Sequence, residues 1–261
     1  MKIAIAGGKG GCSKTTTSIN LAIALNKLDK DVLLVDCNLT TPNVGLYLGV
    51  PYVSKTIHDV LSNNNMKIED SIYIHKSGLK IVSGNISIEK LLDIKPELLK
   101  KKLKSLNNEY IILDCPAGLG RESLAVLEAC DKILIVTNPE IPAATDALKT
   151  IKLADELNKE VIGVVLSRRT GKDEMTVNAV ERLLERPVIA VINEDKNMKE
   201  SIVKSDAIIN LYPYSDASVG YKKLACYLTG ERYRNNMLQD VLQNNVKETL
   251  TDFLNFIFGK K

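Results

Sequence analysis

Residues 7–16 read Gly-Gly-Lys-Gly-Gly-Cys-Ser-Lys-Thr-Thr, between an apolar run from Ile3 to Ala6 and a helical pattern. A loop in that place is built to hold phosphate. Successive backbone N–H groups curl around an anion, and the helix that follows turns the positive end of its dipole toward the same charge. Counted from Gly8 the spacing is G-x-x-x-x-S-K-T, one residue away from the general phosphate-loop pattern. Lys14 takes the position that neutralises β- and γ-phosphates, and the Thr15 hydroxyl is placed to ligate Mg²⁺. Gly8, Gly10, Gly11, Cys12, Ser13 and Thr16 complete the candidate nucleotide cradle. Lys9 is surplus to an ordinary loop of this kind, because Lys14 already fills the lysine position.

Two apolar strands then end in aspartate. Leu33-Leu34-Val35-Asp36 runs into Cys37-Asn38-Leu39-Thr40-Thr41-Pro42-Asn43, and Ile111-Ile112-Leu113-Asp114 runs into Cys115-Pro116-Ala117-Gly118. Binding residues in open parallel sheets gather at strand carboxyl ends. An aspartate closing a buried strand is costly unless it meets a cation or a donor. Mg²⁺ with its waters supplies one, so Thr15, Asp36 and Asp114 are the candidate metal set.

The loop resembles that of the deviant Walker A ATPases, the MinD/ParA family, which reads K-G-G-x-x-K-T. Nitrogenase iron protein and the Mrp-type iron–sulfur carriers share it. The resemblance implies a P-loop α/β fold, ATP and Mg²⁺ as cofactors, and a dimer in which the early lysine, here Lys9, touches the partner's nucleotide. It also implies that residues 36–43 are switch I (D-x-D-x-x-x-P-N) and residues 114–118 are switch II (D-x-P-x-G). Asp114 then takes the Walker B position, and the Gly118 N–H approaches the γ-phosphate. On this reading Lys9, Lys14, Asn38 and Asp114 carry the chemistry. Ser167-Arg168 and Asn193-Glu194-Asp195 fall where the family contacts the base, which puts Arg168 and Asp195 in the nucleotide set.

The sequence departs from the family pattern twice. Ser13 replaces the glycine before Lys14, a conformational cost if that position needs positive φ. Asn38 replaces the second aspartate of switch I, which in the family orients the attacking water. An amide hydrogen-bonds water but neither accepts its proton nor places negative charge beside it. Slow hydrolysis is therefore the expectation, and long residence in the ATP state follows from it.

The elements around these motifs alternate strand and helix, which argues for a mostly parallel sheet with helices on both faces. Strands are expected at 2–6, 32–36, 72–74, 79–82, 110–114, 132–137, 161–166 and 188–191. Helices are expected at 16–28, 88–106, 123–129, 141–157, 176–184 and 218–228. One domain spans 1–230, a polar Asn- and Gln-rich tether covers 231–247, and an amphipathic helix covers 248–261. Composition is that of an ordinary globular protein, with 45% hydrophobic and 26% charged residues. A net charge of +3 is too weak to imply nucleic acid. Five cysteines without a C-x-x-C suggest neither a disulfide framework nor a metal site. They read as buried filler in a reducing compartment. The strand and loop begin at once, leaving no room for a signal peptide, and no apolar stretch is long enough to span a bilayer.

All three phenylalanines, Phe253, Phe256 and Phe258, stand in the C-terminal tail. Together with Leu250, Leu254 and Ile257 they form one broad apolar helix face, opposite Glu248, Thr251, Asp252 and Asn255. Such a helix either docks on the domain or lies in a membrane surface. The polar linker, the aromatic content and the terminal Lys260 and Lys261 favour the membrane, and the tail is similar to the short terminal membrane-targeting helix of MinD. The acidic polar face opposes attraction to anionic lipid.

The resemblance, strongest to the MinD branch including archaeal MinD, implies a cytoplasmic, peripherally membrane-associated ATPase. It would dimerise on ATP and regulate spatial positioning, such as division-site placement, with a protein partner that the sequence does not name. Three alternatives stand beside it: a ParA-like DNA-partition ATPase, an iron–sulfur carrier or reductase-type ATPase, and a hydrolysis-poor nucleotide-binding scaffold.

Overall fold

The structure, a computed structural model, describes residues 1–50, 52–87, 91 and 93–234. Eight strands form one sheet: β1 (Lys2–Ala6), β2 (Val32–Asp36), β3 (Tyr73–Ile74), β4 (Lys80–Val82), β5 (Tyr110–Asp114), β6 (Lys132–Thr137), β7 (Glu160–Arg169) and β8 (Val188–Asn193). Their spatial order is β3-β4-β2-β5-β1-β6-β7-β8. Every pair is parallel except β3–β4 at one edge. The chain leaves β1 in one direction to reach β2 and β5 and in the other to reach β6, so the crevice opens beside the carboxyl end of β1.

Alternation along the strands sorts the core into two layers. Ala4, Leu33, Val35, Ile111, Leu113, Ile133 and Ile135 face one way, while Ile3, Ile5, Leu34, Ile112, Leu134 and Val136 face the other. The first layer packs on α3 (Ile57–Ser62), α5 (Arg121–Ala129), α6 (Ile141–Glu156) and α7 (Val177–Leu184). The second packs on α1 (Lys14–Asn26), α9 (Ile208–Leu211) and α10 (Asp216–Thr229). Both faces are covered, which is why β2 and β5 read as unbroken apolar runs. α1 lies under α10 and is buried nearly all round, from Thr17 to Leu25. Shorter helices α2 (Val44–Tyr47), α4 (Leu99–Lys102) and α8 (Lys196–Val203) complete the fold.

The expected single helix over 88–106 is corrected. Its described part is a 3-10 turn (Pro96–Leu98), the four-residue α4 and a second 3-10 turn (Leu103–Ser105), while residues 88–90 and 92 lie outside the described residues. Pro96 has no N–H to give and drives Lys95 out of helical geometry, to φ −118 and ψ 84, so no helix passes through it. β7 runs to Arg169, three residues past its expected end, and carries Ser167 and Arg168 on the strand itself. Four short helices, α2, α3, α8 and α9, were not expected. Two carried a readable start: the Asp59 carboxylate takes the N–H and hydroxyl of Thr56 ahead of α3, and Asp195 caps α8.

α10 ends on Gly230 in the left-handed conformation. Glu231 then folds back, with its carboxylate 3.0 Å from the Lys30 ammonium. Residues 235–247 of the expected tether and the helix at 248–261, with Leu250, Phe253, Leu254, Phe256, Ile257 and Phe258, lie outside the described residues. Among the described residues no helix is long and apolar enough to cross a membrane.

Candidate functional site

β1 delivers the chain at Ala6 into a loop whose course is set by crowding. A Cβ on Gly7 would run into the Val136 carbonyl, and one on Gly8 into the Asp146 carbonyl of α6. Gly11 and Ser13 take positive φ, 80° and 68°, and turn the backbone into α1. Lys14 is buried, and its ammonium donates to the Lys9 carbonyl at 2.9 Å, bracing the loop from inside. The Ser167 hydroxyl on β7 donates to the Cys12 carbonyl at 2.9 Å and fixes the loop's outer strand. The Lys9 side chain points the other way. It is half exposed, and its ammonium stands 4.0 Å from the Glu140 carboxylate.

Behind the loop, β2 and β5 place Asp36 and Asp114 side by side in register. Both are wholly buried. Asp114 accepts the Thr15 hydroxyl at 2.7 Å and the Ser18 hydroxyl at 2.8 Å. Burial pushes its carboxyl up to about 6, against the pull of those hydroxyls and of Lys14. Burial, with the Asp114 charge beside it, also raises the Asp36 carboxyl well above its ordinary value. Two carboxyls so placed favour a cation between themselves and the cleft. The donor set of a threonine hydroxyl and carboxylate oxygens is hard and incomplete, which fits Mg²⁺ that keeps most of its waters. Among the described residues no cluster of three His, Cys, Asp or Glu could hold a metal unaided. Cys12, Cys37, Cys115, Cys130 and Cys226 are all buried and free.

Switch I is tied down by side chains. Asp36 accepts the N–H groups of Asn38 at 3.2 Å and Val44 at 3.0 Å. Asn38 donates its amide to the Thr41 carbonyl at 2.6 Å and accepts the Thr41 hydroxyl at 3.1 Å. The Thr40 hydroxyl meets Glu122, in the first turn of α5, at 2.6 Å. Switch II is tied to the loop instead: the Gly118 N–H, expected to face a γ-phosphate, donates to the Gly8 carbonyl at 3.0 Å.

These parts enclose a cleft of about 470 Å³. Of the candidate site residues, Gly10, Gly11, Ser13, Lys14, Thr15, Thr16, Asn38, Arg168 and Asp195 line it, whereas Gly8, Lys9, Cys12, Asp36, Asp114 and Gly118 are not among its lining. Arg168 pairs with Glu194 at 3.0 Å across the mouth. Asp195 spends its oxygens on the N–H groups of Asn197 and Ala217, at 2.9 and 3.3 Å. Tyr47, Ile192, Met198, Ile202 and Tyr221, which no motif marks, also line the cleft and add apolar surface to it.

The model of the CobQ/CobB/MinD/ParA nucleotide binding domain family matches residues 3–208. The chain belongs to this family. An uncharacterized ATP-binding protein of Methanocaldococcus jannaschii is 35% identical, with 99% of this chain and 97% of the relative covered. The crystal structure of the Pyrococcus furiosus cell division ATPase MinD superposes with a TM-score of 0.84 at 33% identity, covering 88% of this chain and 98% of that one. The septum site-determining protein MinD of Pyrococcus horikoshii, complexed with Mg-ADP, gives 0.83 at 32% identity over 87% and 95%.

Within this CobQ/CobB/MinD/ParA fold the two departures of the sequence acquire a physical form. Ser13 does hold positive φ, so its side chain strains the turn where glycine would not. Asn38 uses its amide N–H₂ on the Thr41 carbonyl, a bond that a carboxylate at the same position could not make.

Proposed function

We propose that this chain is an Mg²⁺-dependent ATPase of MinD type that dimerises on ATP, attaches to a membrane surface through residues 248–261 and regulates spatial positioning, division-site placement being the model process. The observation that carries this reading is the division between the two lysines. Lys14 braces the loop from within, whereas the Lys9 side chain leaves its own phosphate cradle and, among the described residues, meets Glu140 in a 4.0 Å ion pair between half-exposed groups. Exposed pairs of this kind are worth about 1 kcal/mol or less, so Lys9 is cheaply redirected to a second chain. Two exposed apolar side chains flank it. Leu119 follows the glycine bonded to the loop, and Ile141 follows Glu140.

Mg²⁺, held by Thr15 and Asp114 with Asp36 behind, would draw charge from the β- and γ-phosphates. Lys14 neutralises the same oxygens, and the loop N–H groups orient them. Asn38 orients a water but takes no proton from it, which supports slow turnover. The Mg-ADP bound to P. horikoshii MinD and the cell-division names of the archaeal relatives support the cofactors and the process.

The test measures dimerisation by light scattering with ADP, ATP and a non-hydrolysable analogue, and membrane attachment by liposome co-sedimentation in the same samples. Lys9→Ala is expected to bind nucleotide as the parent does and to stay monomeric. Deletion of residues 250–261 is expected to abolish sedimentation and leave ATP binding intact. Equal dimerisation of Lys9→Ala and parent removes the lysine mechanism. Unfolding on tail deletion makes the tail a docked core helix and removes the membrane.

A further inference from the structure

Switch I has a support that the cleft itself does not reveal. His58, on α3, is fully buried and lines no part of the cleft. The backbone N–H of Asn85 points at its Nδ1 from 3.0 Å, and the Leu39 carbonyl lies 2.8 Å from its Nε2. A backbone N–H can only donate, so Nδ1 is the acceptor and the ring proton sits on Nε2, donating to Leu39. Both ring nitrogens are therefore engaged, and the imidazole ties switch I to the loop that follows β4.

The same loop backs switch I a second time. A Cβ on Gly84 would overlap the Pro42 ring and come within 3.4 Å of His58 Cε1, so Gly84, Pro42 and the imidazole form one packed unit. The Ile57 N–H donates to the Ser83 carbonyl at 3.0 Å, fixing α3 to that unit as well. Leu39 is buried among Ile57, Val60 and Leu61. Asn38 and Thr41, which do line the cleft, thus each adjoin an anchored neighbour, Leu39 and Pro42 respectively.

We propose that His58 is a positioning residue: through the Leu39 carbonyl it holds switch I in register over the phosphate loop, and so sets turnover without setting nucleotide affinity. The catalytic half of this statement rests on the ATPase reading above, and the positional half does not. A small displacement transmitted from outside a site is enough to slow its chemistry by up to about a hundredfold. A buried histidine that served packing alone would, when replaced, lower stability and loosen the core as a whole.

The experiment compares full-length parent with His58→Phe, which keeps a ring and loses both bonds, and His58→Gln, whose amide N–H₂ reaches for the Leu39 carbonyl. Three readouts are taken: affinity for a fluorescent ATP analogue, single-turnover hydrolysis, and amide hydrogen exchange of residues 37–47 against residues 14–26. In His58→Phe, turnover is expected to fall at least about tenfold with affinity unchanged within about twofold. Exchange of residues 37–47 should rise about tenfold while α1 keeps its protection. His58→Gln should recover most of both. Gly84→Ala, which pushes Pro42 from the opposite side, serves if His58→Phe does not fold, and should reproduce the same selective loss. Unchanged exchange in residues 37–47, exchange that rises equally in α1, or turnover and affinity that fall together would each overturn the proposal. A parent that binds no ATP overturns the ATPase reading instead, and the exchange comparison still decides the place of His58.

Discussion

Across one cleft, the phosphate loop and switch I are held by opposite means. In the loop, Gly7 and Gly8 sit where a single added carbon would enter the Val136 and Asp146 carbonyls, and the braces are a buried ammonium and a buried hydroxyl. In switch I, the buried Asp36 carboxylate and the more exposed Asn38 and Thr40 hold the turn by hydrogen bonds, and Leu39 is held by one buried bond to His58. Steric closure fails all at once, because close-packed interiors do not yield gradually. A hydrogen-bonded turn loosens in steps of about 0.5–1.5 kcal/mol per bond. The difference suits the proposed function: the half that would grip phosphate is rigid, and the half that would place water is adjustable by single side chains.

The largest effect belongs to the steric half. Gly8→Ala must displace α6 or the loop, an overpacking that costs roughly 1–3 kcal/mol at the least. Nucleotide affinity should fall on the order of a hundredfold or more, as about 1.4 kcal/mol is a factor of ten. Calorimetric titration with ADP measures it. Near-normal binding in Gly8→Ala breaks the comparison, since the loop would then be adjustable too.

Asp114 is the charge buried behind that rigid half, and its carboxyl stands at about 6 against an ordinary 3.8. The folded state therefore holds this proton more tightly than the unfolded chain. The contribution is fully present below pH 3.8 and is lost as pH rises through about 6. The ionised form at neutral pH then costs about 3 kcal/mol in the absence of Mg²⁺ and nucleotide. Asp114→Asn should gain that amount over the parent between pH 4 and 7, as read by urea unfolding, while losing Mg²⁺-dependent turnover. A stability difference that does not change with pH would mean that no charge is buried there.

In switch I the change is smaller and graded. Asn38→Asp breaks the 2.6 Å bond to the Thr41 carbonyl and sets a carboxylate where the MinD/ParA pattern has one. ATP hydrolysis should rise about tenfold, less than the roughly 100-fold or more that a fully positioned base supplies. Thermal stability should fall by about 1 kcal/mol, the worth of one such bond. If the parent already turns over as fast, Asn38 is not the water-placing residue, and switch I has been placed on the wrong residues.

The same contrast governs how far the chain could be read. The phosphate loop, both aspartates and the strand–helix alternation are local patterns, written in consecutive residues, and the structure returns them with boundaries shifted by a few positions. The wall of the cleft is not local. Tyr221 arrives from α10 and Met198 from α8, and nothing in their neighbourhoods marks them for the cleft. Ser167 looked like a base contact, yet its hydroxyl serves the Cys12 carbonyl, a role fixed only when β7 packs beside the loop. His58 carries no motif, and its importance lies in two backbone groups, Leu39 and Asn85, that folding brings to its ring. The expectation of a long helix at 88–106 followed the apolar spacing and underweighted Pro96.

The finest test lies within the rigid half, at Ser13. Its φ of 68° is left-handed, which costs a residue with a Cβ about 1–2 kcal/mol. Its side chain makes no capping hydrogen bond that would offset this. Glycine relieves the strain but adds freedom to the unfolded chain, a loss of about 0.5–1 kcal/mol. The net gain for Ser13→Gly should therefore be about 0.5–1 kcal/mol, or roughly 2 °C in melting temperature for a domain of this size. Nucleotide affinity should stay within about twofold, because the loop donors are backbone N–H groups that the substitution leaves in place. A melting temperature that falls instead would show that the Ser13 side chain contributes more than its strain removes. The loop would then be held by polar groups as switch I is, and the contrast between the two halves would narrow at the residue that joins the loop to α1.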